Sequence, residues 1–229
     1  YYAIAGIFNN TRNVDKPVAP KEQVDAYNAS QAAIRKKQDE IKHWSEDLRE
    51  DAMRGFMREA DKYLLELFRY HEQRKILTGI ADRNAYAKEK GLEPRRLEAW
   101  ERSLKDLRNR GKFPLLEVWF EKNAMKEKTE VTEQEIVESA KKFMERLEPI
   151  LKHLEEKDVE WREKMASTGK RQGRPRAPGA EGVFIKHLRD GPCKVGNVNE
   201  LGEAEKEKQK VLNEELAKMK KEAPPKPAT

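Results

Sequence analysis

Cysteine occurs once in the 229 residues, at Cys193. An internal disulfide is therefore excluded, and so is a Cys-rich metal site. Long apolar runs are also missing. The longest, Ala3 to Phe8, falls far short of the ~20 apolar residues a membrane-spanning helix needs. Glycine-rich phosphate loops are absent: neither GxxxxGK nor GxGxxG occurs. The GxSxG elbow of many hydrolases and the HExxH helix of zinc proteases are absent too. Histidine is sparse, and none of His43, His71, His153 and His187 stands three to five residues from another. A local zinc-binding pair is thereby excluded. Apolar residues make up only 37% of the chain while charged residues reach 39%. That balance is too polar for one compact core to hold everything. Long exposed helices need only a narrow apolar stripe and tolerate such a composition.

What is present is helical periodicity. Residues 1–20 carry turn and extended signals, Asn9-Asn10-Thr11 and Pro17-Val18-Ala19-Pro20, before a helix start at Lys21-Glu22. The apolar opening at Tyr1 reads as the end of an upstream domain. Tyr27, Ile34, Ile41 and Leu48 then recur every seven residues, with Val24 and Trp44 beside them. Such spacing predicts a long helix over 21–50 that seeks one partner helix. Gly55 marks a kink or break. Beyond it, Phe56, Met57, Ala60, Tyr63, Leu64, Leu67, Phe68 and Tyr70 form a wider face, suited to a bundle. A short helix over Asp82–Lys90 ends at Gly91 as C-cap, and Pro94 suits the first turn of the next. Leu97, Trp100, Leu104 and Leu107 line that helix, Gly111 stops it, and Phe113 to Phe120 forms a short apolar turn. Thr132-Glu133-Gln134-Glu135 matches a capping box and opens a helix to about Met165. Its stripe is Ile136, Ala140, Phe143, Leu147, Ile150, Leu151, Leu154 and Trp161, with Pro149 predicting a kink or break.

Residues 166–181 are rich in Gly, Pro and Arg and read as a flexible basic loop. Residues 182–198, with Val183-Phe184-Ile185, read as a short element that docks. A last helix, about 203–222, carries six glutamates and six lysines and a thin stripe of Val211, Leu212, Leu216 and Met219. Pro224-Pro225-Lys226-Pro227 ends it. The two thin-striped helices, 21–50 and 203–222, should pair antiparallel and bring Pro20 near Pro224. The expectation is an all-α chain: a small helical bundle over 51–165 with a projecting antiparallel two-helix coiled coil. The return helix and Pro-rich exit occupy 199–229.

Charge narrows the partners. The net charge is +6, from 48 basic and 42 acidic residues, and the signs are interspersed. That describes a solvated surface rather than a nucleic-acid footprint. One stretch departs from it: Lys170, Arg171, Arg174 and Arg176, with no acid between Ser167 and Ala180. Gly173-Arg174-Pro175 among basic residues is similar to the AT-hook core, which inserts arginine into a narrow A·T minor groove. Gln172 replaces the first arginine of that core, so a solvated loop is the favoured reading. Cys193 lies six residues after His187, which makes a Cys–His nucleophile pair conceivable. Gly191-Pro192-Cys193 looks like a turn, and a structural thiol is the favoured reading. The abundant carboxylates fall in i,i+4 patterns such as Glu138 with Lys142, which are ordinary surface pairs. Trp100 and Trp119 sit at core spacing before they suggest a pocket wall. No catalytic, cofactor or metal residue is assigned within the segment.

One family resemblance runs along the chain. Tyr1-Tyr2-Ala3-Ile4-Ala5-Gly6-Ile7-Phe8-Asn9-Asn10-Thr11 resembles a "DYYALAGIF-x-ST" segment. That segment belongs to the large planctomycete cytochrome-c-associated proteins, built from two adjoining domains of unknown function. Ala60-Asp61-Lys62-Tyr63-Leu64-Leu65 is similar to their "DYLLA" helix, and Gly91-Leu92, Leu97, Trp100 and Leu104 resemble a following helix. Pro114 to Trp119 resembles the apolar stretch after it. Glu215-Leu216, Lys220-Lys221 and Pro224-Pro225 resemble the exit of the family's linker helix. The resemblance implies a segment joining the family's first domain to its second. It also implies an extracytoplasmic setting, flanking domains of the same parent chain as partners, and a c-type haem motif, Cys-x-x-Cys-His, upstream of Tyr1. The expected function is a helical connector or interaction segment, with a protein partner through the coiled coil. The alternative is a DNA-associated coiled-coil protein using the basic loop.

Overall fold

The computed structural model describes residues 19–76, 82–110, 132–168 and 173–227. The opening Tyr1–Thr11 motif, the Gly111 stop, the Phe113–Phe120 turn with Trp119, and Lys170 and Arg171 lie outside them. Among the described residues there are seven α-helices and no strand, so the chain is all-α. The helices are α1 (Lys21–Arg58), α2 (Ala60–Ile76), α3 (Arg83–Glu89), α4 (Pro94–Arg110), α5 (Glu133–Thr168), α6 (Gly179–Asp190) and α7 (Glu203–Glu222). A single 3-10 turn, Val198–Glu200, precedes α7.

Local chemistry explains most boundaries. Asp82 caps α3 by accepting a hydrogen bond from the Asn84 amide. Gly91, at φ 67°, closes it: its amide bonds to the Lys88 carbonyl and the Leu92 amide to the Ala87 carbonyl. This is the paired-bond stop that a left-handed glycine permits. Pro94 is the first residue of α4. At the head of α5 the capping box forms in both directions. The Glu135 amide donates to Thr132 Oγ1, and the Thr132 amide donates to Glu135 Oε2.

Neither Gly55 nor Pro149, each read as a kink or break, interrupts its helix. Helix α1 continues through Gly55 and is interrupted only at Glu59. Gly55 is exposed, while Met53, Arg54 and Met57 around it are buried, so packing of the neighbours holds the helix. Pro149 lies inside an unbroken α5. It sits on the exposed face, where water can satisfy the carbonyl that its missing N–H abandons.

The described residues divide into two compact units, one within 49–196 and one within 1–48 and 197–229. The larger unit holds the main core. Helix α2 packs along α5, and α4 packs against α2 and α3. Leu64, Leu67, Trp100, Phe143, Leu147 and Leu151 are its centre. Helix α6 adds Phe184, Ile185 and Leu188, with Phe184 edge-on to Phe143 at 5.9 Å between centroids. The stretch read as a loop through residue 181 is thus shorter: α5 reaches Thr168 and α6 starts at Gly179. Gly182 is required where α6 begins, because a Cβ there would overlap the Ala177 carbonyl.

In the smaller unit, the first part of α1 and α7 run antiparallel. Lys37 Nζ meets Glu215 Oε2 at 2.8 Å, and Lys208 Nζ lies 5.2 Å from the Trp44 ring centroid. Seven residues up one helix thus match seven down the other. The less exposed positions of α7 are Glu205, Gln209, Leu212, Leu216 and Met219, alternating four and three apart. That is a coiled-coil seam. Val211, counted in the stripe from sequence, points outward instead at 44% exposure. Ile34 alone in this pair is buried outright, and α7 buries no residue fully.

Candidate functional site

A cleft of about 460 Å³ opens in the larger unit. Its walls are the last turns of α1, the middle of α5, the irregular segment 173–178 and the first turns of α6. Met57, Leu151, Leu154 and Ile185 make an apolar floor. Around that floor stand five cations, Arg54, Arg174, Arg176, Lys186 and Arg189, and three carboxylates, Glu50, Asp158 and Asp190.

Asp158 is the hub. It is 2% exposed and faces three arginines. Arg54 Nη2 donates to Oδ2 at 2.9 Å, Arg162 Nη2 lies 2.7 Å from the same oxygen, and Arg174 Nε lies 2.9 Å from Oδ1. Arg54 and Arg162 also bind Asp51. Burial pushes the Asp51 carboxyl up, but hydrogen bonds from Arg162 and Arg54, with their charges, hold it below its usual value. Arg174 further approaches Glu50 at 3.9 Å and lies 4.9 Å from the Trp161 ring centroid, and Arg189 meets Glu50 at 3.2 Å. Next to the cleft, Arg58 grips Glu155 with both Nη atoms, at 2.7 and 2.8 Å. That bond first, then the one to Glu148, raises the arginine's pKa.

The residues singled out in the basic stretch therefore separate. Lys170 and Arg171 lie outside the described residues. Arg174, read as solvated, is drawn inward to Asp158 and Trp161, because a buried carboxylate demands cations. A guanidinium so engaged is not presented to a DNA groove. Arg176 is exposed at the cleft rim. The hub was missed from sequence, although a signal existed. Leu147, Leu151 and Leu154 set the inward stripe of α5, and the next position on it, before Trp161, is Asp158. An acid on an apolar stripe demands partners, and Arg54 on α1, between Met53 and Met57, is the corresponding basic signal.

Cys193 and His187 do not form a nucleophilic pair. His187 Nε2 lies 2.7 Å from Ser103 Oγ, which is itself buried. Cys193 is wholly buried, and burial pushes its thiol up to about 12 against a slight opposing pull from Arg96. It stays protonated as a packing residue. His43 lies on α1 3.9 Å from Glu46, and His71 lies 3.8 Å from Glu101. His153 is exposed. Among the described residues no group of three or more His, Cys, Asp or Glu side chains could hold a metal ion. No described helix is long and apolar enough to cross a membrane. Trp100 is fully buried in the core rather than lining the cleft.

No family model matches the sequence, and no curated protein or solved structure matches it either.

Proposed function

We propose that this chain is a non-catalytic helical connector and interaction segment of a larger extracytoplasmic, cytochrome-c-associated protein, working in an electron-transfer setting. The observation that carries the connector part is the antiparallel register of α1 and α7. The Lys37–Glu215 and Trp44–Lys208 contacts place Pro224 opposite the region of Asn28. Pro20 and Pro224 thus belong to the same end of the pair, offset by eight positions, or ~12 Å of helix. A helical pair arranged so can be joined to flanking domains at one place. The half-exposed seam supports an interaction role, since Leu212, Leu216 and Met219 stay partly open to solvent.

The cytochrome part rests on the Tyr1–Thr11 motif and the weaker matches that follow it. Its test is the parental reading frame together with the absorption spectrum of the full protein. A Cys-x-x-Cys-His motif shortly upstream, a secretory signal and a haem Soret band are the expected results. An upstream frame without that motif would remove the cytochrome setting and leave the connector geometry standing.

A further inference from the structure

The cleft has features that its ion pairs do not use up. Glu50 and Asp158 are already engaged by Arg54, Arg162, Arg174 and Arg189. Arg176 and Lys186 stand exposed in the lining with no ion-pair partner among the described residues; set against the remaining lining carboxylate, Asp190, they leave the mouth a small positive excess. Arg54, only 7% exposed, also lines the cleft, with its Nε facing Glu155 Oε1 at 3.9 Å. The first turn of α6, from Gly179 to Gly182, forms part of the same wall. The positive end of its dipole favours an anion there, while the Gly182 amide is already bonded to the Pro178 carbonyl. Below these groups the floor is apolar.

We propose that this cleft binds a small amphipathic organic anion, its carboxylate- or sulfate-type head at Arg176, Lys186 and the α6 amino end and its short hydrocarbon body on Met57, Leu151 and Ile185. The cleft volume lies within the range of small-molecule sites, and an apolar floor under charged walls suits a ligand with one apolar and one charged end. Arginine suits planar oxyanions because its guanidinium can donate two parallel hydrogen bonds. An inorganic anion would leave the floor wet, and a neutral alcohol would leave the cations without a counter-charge.

The test is isothermal titration of the full 229-residue chain with octanoate, octanol and inorganic sulfate at low ionic strength. Octanoate should bind saturably and most tightly of the three. The Arg176→Gln and Lys186→Gln variants should each weaken it by about tenfold, with unchanged circular dichroism, since both side chains are exposed. Lys152→Gln, an exposed change on α5 outside the cleft lining, should leave octanoate binding unchanged. The proposal is overturned if octanoate fails to saturate, if octanol binds equally well, or if the rim variants match the wild type. Tighter binding of inorganic sulfate than of octanoate would overturn the apolar half of the site.

Discussion

Cys193 shows how a single residue acquires its character from burial alone. Its thiol has an ordinary value of 9.0, and burial raises it to about 12 in the folded chain. The raised value sets the sign of a stability effect. Below pH 9 the thiol is protonated in both states and contributes nothing to the pH dependence. Between about pH 9 and 12 the unfolded chain loses this proton while the folded chain keeps it. Stability should therefore fall as pH rises through that window, by about 1.4 kcal/mol per pH unit from this group. Cys193→Ala should lower stability at neutral pH by about 1 kcal/mol through the small void it leaves. It should also flatten the alkaline decline relative to wild type. Urea midpoints of the two proteins across that pH range check both effects, and parallel declines would refute the assignment. Asp158 is the opposite kind of residue. Its carboxylate is buried against three arginines. Such a cluster is weak evidence for stability, because desolvation offsets the attraction, but removing one partner would leave a buried charge uncompensated.

Elements show which local rules survive packing. The capping box at Thr132, the glycine stop at Gly91 and the Pro94 start were legible because each satisfies backbone groups within a few residues. The breaks expected at Gly55 and Pro149 were not decided locally. Leu147 and Leu151, on either side of Pro149, are fully buried in the core, and their packing holds the helix across the proline. Pro149→Ala should therefore restore a hydrogen bond to the Glu145 carbonyl without disturbing the core. Stability should rise, by up to about 3 kcal/mol, as an upward shift in the urea midpoint. An unchanged or lowered midpoint would mean that the core depends on a bend at this position. Helix α6 went unrecognised as a helix for the reverse reason. Its Gly- and Pro-rich lead-in hides it, and its apolar residues Phe184, Ile185 and Leu188 become a face only once α5 is opposite.

At the scale of the molecule, the all-α class and the pairing of the two thin-striped helices were foreseeable. Seven-residue apolar spacing with too narrow a stripe leaves a helix few alternatives to a partner. The register was not, because it rests on contacts such as Lys37–Glu215 that no local pattern specifies. That register can be checked with paired cysteines, since the buried native Cys193 thiol should not compete for label. A short bismaleimide should join Lys37→Cys to Glu215→Cys within one chain. It should not join Lys37→Cys to Glu203→Cys, which the antiparallel register separates by ~18 Å of helix. Equal yields from the two pairs would sink the register, and with it the shared end from which the connector role is argued. Sequence by itself determined what periodicity and capping can express: the helical class, several helix boundaries, and which stripes face inward. Only the tertiary structure decided which charges are interior. Whether an Asp or Arg is solvated or buried depends on what the fold sets beside it, and Asp158, Arg54 and Arg174 come from stretches far apart in the chain.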